Sequence, residues 1–148
     1  MKTLLNISLL VLLLLLTSCD KVPINGDLDG LWQLMSIQQG DDVRDTKADR
    51  LYCSFQLHLF MLGEDSGPRE YFGRFEHEGN TIRFYSFTYR SKYTEESNYD
   101  QLMTDDADLA VIAPWGFYST DCTFDVVTLN SSTLVLRSGN TTITYRKM

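Results

Sequence analysis

The chain has 148 residues, 43% of them hydrophobic, and carries 13 basic against 20 acidic side chains for a formal charge of −7. That length supplies one ordinary hydrophobic core and requires no second domain. The acidic balance, with no cluster of Lys and Arg, argues against nucleic acid as a partner, because phosphate binding needs such a cluster.

Met1 and Lys2 precede an apolar run from Leu9 to Leu16, which ends at Thr17, Ser18 and Cys19. A positive end, a short apolar segment and small residues before a cleavage point form the layout of a signal peptide. An uncleaved transmembrane helix would need roughly 20 apolar residues, and Thr17 to Asp20 end the run first. The segment resembles the lipobox of bacterial lipoproteins. That resemblance implies a diacylglyceryl group on Cys19 and removal of residues 1–18. Several acyl chains, at about 0.8 kcal/mol per buried methylene, would hold the mature chain to a membrane. The expectation is a protein of the bacterial cell envelope, on the outer membrane in the first instance, facing the periplasm or the cell surface. Loss of Lys2 leaves 12 basic residues (13 − 1) against 20 acidic, a charge of −8.

Residues 19–29, with Pro23, Gly26 and three aspartates, read as the lipidated Cys followed by a flexible tether. The folded domain then spans 30–148. From Leu51 to Met61 apolar residues recur at every second position, through Cys53, Phe55, Leu57 and Leu59. This predicts one continuous strand with an inward apolar row. Tyr71 to His77 and Thr81 to Tyr89 flank Glu78, Gly79 and Asn80, a hairpin pattern. Arg90 to Asp108 is acidic and lacks alternation, and it reads as a long loop with a short helix. Thr123 to Leu129, Leu134 to Ser138 and Thr141 to Arg146 are short strands joined at Asn130 to Ser132 and at Gly139 and Asn140. The class is all-β. An antiparallel meander of about eight strands solves its edge problem by closing into a barrel, or else by packing as two sheets; closure is the expectation here.

Gly30, Leu31 and Trp32 form a G-x-W pattern, followed by the meander and by a closing set with Trp115, Gly116, Phe124, Leu129, Leu134, Leu136 and Tyr145. Taken together, residues 30–148 resemble the small lipocalin-like lipoproteins of Bacteroidetes bacteria. The resemblance implies that Trp32 plugs one barrel end, with Arg146, or failing that Arg137, packed across it. A second signature of classical lipocalins, a Thr-Asp pair before an aromatic, is only partly echoed by Thr120, Asp121 and Cys122. The resemblance also implies a pocket for a small apolar or amphipathic molecule, lined by Leu34, Phe55, Leu57, Phe84 and Phe124, with Trp115 and Phe117 near the mouth. An eight-stranded interior is wide enough either for one small ligand or for its own side chains alone.

With Cys19 acylated, Cys53 and Cys122 are left in an oxidising compartment. They are either one disulfide or two free cysteines packed as small apolar residues. Neither has a histidine nearby, no Ser lies in a nucleophile-elbow motif, and His58 and His77 stand on separate strands among polar neighbours, so no enzyme is expected. Asp105, Asp106 and Asp108 match no calcium-loop spacing and no His or Cys pair has zinc spacing, so neither metal nor cofactor is expected. Tyr85, Tyr89, Tyr93, Tyr99, Trp115 and Tyr118 supply amphipathic rings suited to sugar faces or protein interfaces. Two functions remain open: a lipid-anchored binder of a small ligand, and a solid barrel that docks on another envelope protein through the 90–108 loop.

Overall fold

The computed structural model describes residues 24–67, 69–91, 101–104 and 106–148; the expected signal peptide, Cys19 and the first part of the expected tether lie outside them. The strands are β1 (Gly30–Gln39), β2 (Asp42–Asp45), β3 (Leu51–Gln56), β4 (Leu59–Glu64), β5 (Arg69–Glu78) and β6 (Thr81–Ser91). They are followed by β7 (Gln101–Leu102), β8 (Asp121–Leu129), β9 (Thr133–Ser138) and β10 (Thr141–Lys147). A helix, α1 (Asp106–Ile112), precedes a 3-10 turn at Ala113–Trp115. Antiparallel pairing runs β1-β3-β4-β5-β6-β8-β9-β10 and then back to β1, with Trp32 opposite Lys147 and Gln39 opposite Thr141. Eight strands thereby close a barrel in which each has a neighbour on both sides. Two short strands are added to its rim, β2 on β1 and β7 on β6.

The hairpins expected at 71–89 and in the C-terminal third are present, with Glu78 opposite Thr81 and Ser138 opposite Thr141. Gly79 and Gly139 take φ of +57° and +58° at their turns, a conformation that glycine adopts without steric cost. The continuous strand expected from Leu51 to Met61 is instead a hairpin. Leu57 and His58 form its two-residue turn, with Leu57 at φ +58°, so that Gln56 faces Leu59 and Phe55 faces Phe60. The turn reverses the parity of the inward row: Leu51, Cys53 and Phe55 point inward on β3, then Phe60 and Leu62 on β4. Leu57 and Leu59 are exposed.

A second irregularity lies in β6, where Arg74 pairs with Tyr85 but Phe72 pairs with Thr88, so that Gly73 alone on β5 stands against Ser86 and Phe87 on β6. Ser86, at φ +54°, absorbs the extra residue of this bulge. As a result Phe84 and Phe87, three positions apart, are both fully buried. Opposite them Gly73 leaves room for the Phe60 ring, since a Cβ at Gly73 would stand 2.3 Å from that ring.

The tether ends sooner than the sequence suggests. Residues 24–29 belong to the fold: Leu28 is fully buried, the Trp32 Nε1 donates to the Leu28 carbonyl at 2.8 Å, and Asn25 is bonded to Asp29 and to the Leu57 carbonyl. The 90–108 loop contains β7 and the start of α1; residues 92–100 and 105, with Tyr93, Tyr99 and Asp105, lie outside the described residues.

Candidate functional site

Strand directions define two ends. The closed end holds Gly30, the Leu57–His58 and Gly79–Asn80 turns and Lys147, while the mouth holds Gln39, β2 and the Gly139–Asn140 turn. At the mouth the chain from α1 to β8 folds back into the barrel. Ile112, Trp115 and Phe117 are buried there, and the Trp115 Nε1 donates to the Tyr52 carbonyl at 3.1 Å while its ring meets Tyr71 edge-on at 5.6 Å. The Arg44 guanidinium donates to the Pro114 carbonyl and ties β2 to the same segment. Gly116, at φ +88°, passes so close to the wall that a Cβ would lie 2.7 Å from Ile143 Cδ1.

Beyond Gly116, the Phe117 ring enters the centre of the barrel. It lies 5.0 Å from Phe84, 5.3 Å from Phe87, 5.7 Å from Phe124 and 6.1 Å from Phe60, centroid to centroid. Phe55 continues the cluster to Phe75 at 5.2 Å and to Phe84 at 6.0 Å. Such edge-to-face and offset contacts suit aromatic quadrupoles. The barrel axis is therefore occupied by the chain's own rings.

Two hollows lie over this plug. One, of about 350 Å³, is lined by Gln39, Gly116, Tyr118, Ser119, Cys122, Phe124, Ser138, Asn140 and Thr141, none of which carries a formal charge at neutral pH. The other, of about 310 Å³, is lined by Ile37, Gln39, Asp42, Val43, Arg44 and Tyr118. Tyr118, with 48% of its surface exposed, borders both. A third hollow lies at Asp49, Arg50, Glu64, Asp65, Ser66 and Gly67, beside an Arg50–Asp65 ion pair of 3.1 Å.

Cys53 and Cys122 are free thiols. Burial, and then the neighbouring Asp121 carboxylate, push the Cys122 thiol up to about 12, and burial raises that of Cys53 beyond any ordinary range. Both stay protonated near neutral pH and are poor nucleophiles. The Tyr145 hydroxyl, fully buried and within electrostatic reach of both thiols, has no hydrogen-bond partner among the described residues. Asp121 is chelated from outside by Arg83 through bonds of 2.9 and 2.6 Å, which hold its carboxyl below the usual range. Among the described residues no three His, Cys, Asp or Glu side chains are grouped to hold a metal ion.

A family model for a lipocalin-like domain matches residues 14–148. The chain belongs to that family. The lipocalin-like barrel is similar to that of a lipocalin-like protein from Bacteroides uniformis, 25% identical, with a TM-score of 0.60 over 83% of this chain and 100% of that one. An uncharacterized protein from Bacteroides eggerthii shares the fold at 19% identity, with a TM-score of 0.57 over 82% of this chain and 99% of that one. No curated protein matches.

Within this lipocalin-like frame Leu34, Phe55, Phe84, Trp115, Phe117 and Phe124 are all buried, and Phe55, Phe84, Phe117 and Phe124 share one ring cluster. Leu57 is not among them, because the turn at 57–58 carries it to the surface. Phe117 is the hub of the interior rather than part of the rim. At the closed end Trp32 is covered, but not by Arg146. Alternation sends Arg146 outward, where its Nη2 donates to Gln33 at 2.9 Å. The next residue, Lys147, lays its Nζ 5.0 Å above the Trp32 ring and donates to the Asp27 carbonyl at 2.6 Å. Gly30, at φ +119°, makes room, since a Cβ there would stand 3.3 Å from Lys147 Cε. Arg137 is exposed on β9, far in register from Trp32.

Sequence reasoning missed Phe60, Phe87 and the polar mouth residues Gln39, Ser119, Ser138, Asn140 and Thr141. The paired Gly139–Asn140 turn was the one available sign of that rim. Two of the amphipathic tyrosines lie apart: Tyr118 stands at the mouth, whereas Tyr85 lies on the outer wall, bonded to Glu76 and covered by Arg83.

Proposed function

We propose that this protein is a lipoprotein of the bacterial envelope, held by acyl chains on Cys19, that binds one small uncharged amphipathic molecule at its barrel mouth without catalysis. The observation that carries the reading is the hollow of about 350 Å³ beside Tyr118. Its floor is apolar at Phe124 and Gly116, and its rim offers the hydroxyls and amides of Ser119, Ser138, Asn140 and Thr141. An apolar floor with a few convergent polar groups is the usual make-up of a small-molecule site. The ligand rests above the Phe117 ring rather than around the barrel axis, which the rings occupy. Thiols held in the protonated form support binding over covalent chemistry.

Native mass spectrometry of the full chain, extracted from its own membrane in mild detergent, tests this reading. A molecule of small mass is expected to co-purify at one per chain, and Tyr118→Ala is expected to weaken its retention several-fold. A chain that carries no such molecule, or a Tyr118→Ala variant that retains it unchanged, would count against mouth binding.

The ring-filled interior also favours a second reading, in which the barrel is a solid platform that docks on another envelope protein through the 90–108 loop. Leu102 on β7 presents an exposed apolar side chain at the edge of that loop. Deletion of residues 92–100 would then abolish recovery of one specific partner, and an unchanged pull-down would sink the idea.

A further inference from the structure

The closed end of the barrel carries apolar side chains that stand exposed among the described residues. Leu57 is 52% exposed and Leu59 50% exposed, both at the β3–β4 turn; Ile24 is 64% exposed and Leu31, at the start of β1, 42% exposed. They are linked in space. Asn25, next to Ile24, donates its Nδ2 to the Leu57 carbonyl at 2.9 Å. Leu31 pairs with Ser54, which pairs with the half-buried Met61, so Leu31 on β1 and Met61 on β4 flank Ser54 in one row across the outer wall.

This is also the end at which the chain arrives from Cys19. Four residues lie between Cys19 and Ile24, five steps of chain (24 − 19), with a reach of at most about 18 Å when fully extended. Residues on β1 place the mouth much further away, since ten residues of strand cover about 30 Å along its length. An anchor of that reach cannot bring the mouth to a bilayer while the closed end stands clear of it.

Resting on the lipid-anchored reading, we infer that the closed end is a membrane-contact face: Ile24, Leu31, Leu57 and Leu59 sit in the bilayer interface, and the mouth faces away into the aqueous space. The surface it fits is zwitterionic rather than anionic. A charge of −8 on the mature chain, with Asp27 and Glu78 exposed at this end, opposes an anionic surface. The contact is therefore apolar in origin and insensitive to salt.

The test uses the full acylated chain in phosphatidylcholine vesicles that contain a lipid-borne fluorescence quencher. In a Cys122→Ser background, a probe is attached through Leu59→Cys or Ile24→Cys at the closed end and through Val43→Cys at the mouth. Quenching several-fold stronger at both closed-end positions than at Val43 is expected, and it should survive high salt. Leu57→Asp in the Ile24→Cys chain is expected to lower that quenching several-fold while acylation is unchanged. Equal quenching at the two ends, or stronger quenching at Val43, in a chain whose mass shows acylated Cys19 overturns the orientation alone. A chain without acyl mass on Cys19 overturns the anchored reading and this inference with it.

Discussion

The two ends of the barrel are sealed by different means. At the closed end one tryptophan is covered by its near neighbours in space and sequence: Leu28 four residues earlier accepts its indole hydrogen bond, and Lys147 from the paired strand lies over its ring. At the mouth the seal comes from a segment between β7 and β8 that turns back into the barrel and places Phe117 among four other phenylalanines. A local cap is built from residues already adjacent through the β1–β10 pairing. A plug threaded from elsewhere needs a glycine at its narrowest point and leaves polar hollows on either side of Tyr118.

The largest test of that contrast removes one ring at each end. Phe117→Ala and Trp32→Ala should each cost about 3–5 kcal/mol, the range for a buried aromatic truncated to alanine, read by urea unfolding. In addition, Phe117→Ala should open a ring-sized hollow that takes up a hydrophobic dye, while Trp32→Ala should not expose the same site. A cost below about 1 kcal/mol for Phe117→Ala would show that the plug is not packed as described.

Gly116→Val sharpens the comparison from the mouth side. The left-handed backbone and the 2.7 Å approach to Ile143 predict a loss of about 2 kcal/mol, with weakened ligand retention as the plug shifts; an unchanged melting temperature would contradict the close approach. Lys147→Met probes the closed end. It removes the cation above Trp32 and the bond to the Asp27 carbonyl, for an expected loss of about 0.5–1 kcal/mol, visible as a lower thermal midpoint and altered Trp32 fluorescence. Tyr145→Phe is the smallest change. Deleting a buried hydroxyl that has no partner among the described residues should be neutral or should stabilise by up to about 1 kcal/mol, and a clear destabilisation would mean that the hydroxyl is satisfied in solution.

Where the sequence was legible, a turn residue and an alternating pattern agreed. Glu78, Gly79 and Asn80 between two aromatic strands, and Gly139 and Asn140 between β9 and β10, announced hairpins because those residues accept the backbone angles that such turns need. The Leu57–His58 turn carried no such residue, and two exposed leucines happened to continue the apolar alternation across it, so that a hairpin read as one strand. Phe87 was hidden because the bulge at Ser86 shifts its parity, and Arg146 was favoured over Lys147 because the resemblance supplied a residue type without a strand parity. For the mouth segment only the resemblance gave a sign: it put Trp115 and Phe117 near the mouth, but not Phe117 on the barrel axis. Gly116 and Phe117 sit in an otherwise ordinary stretch, and their role exists only once eight strands surround them.

By itself, the sequence determined an all-β chain of short antiparallel strands, a tryptophan-led first strand, and an N-terminal apolar run that ends at Cys19, since alternation, turn chemistry and hydropathy are local properties written in consecutive residues. Tertiary structure alone decided which aromatics fill the axis, which lysine covers Trp32, that Leu57 and Leu59 face outward beside the chain's point of entry, and where the polar hollows lie. Those outcomes depend on closure: only when β10 returns to β1 do residues more than a hundred positions apart, such as Gln33 and Arg146, meet, and only the enclosed interior forces Phe117 into place.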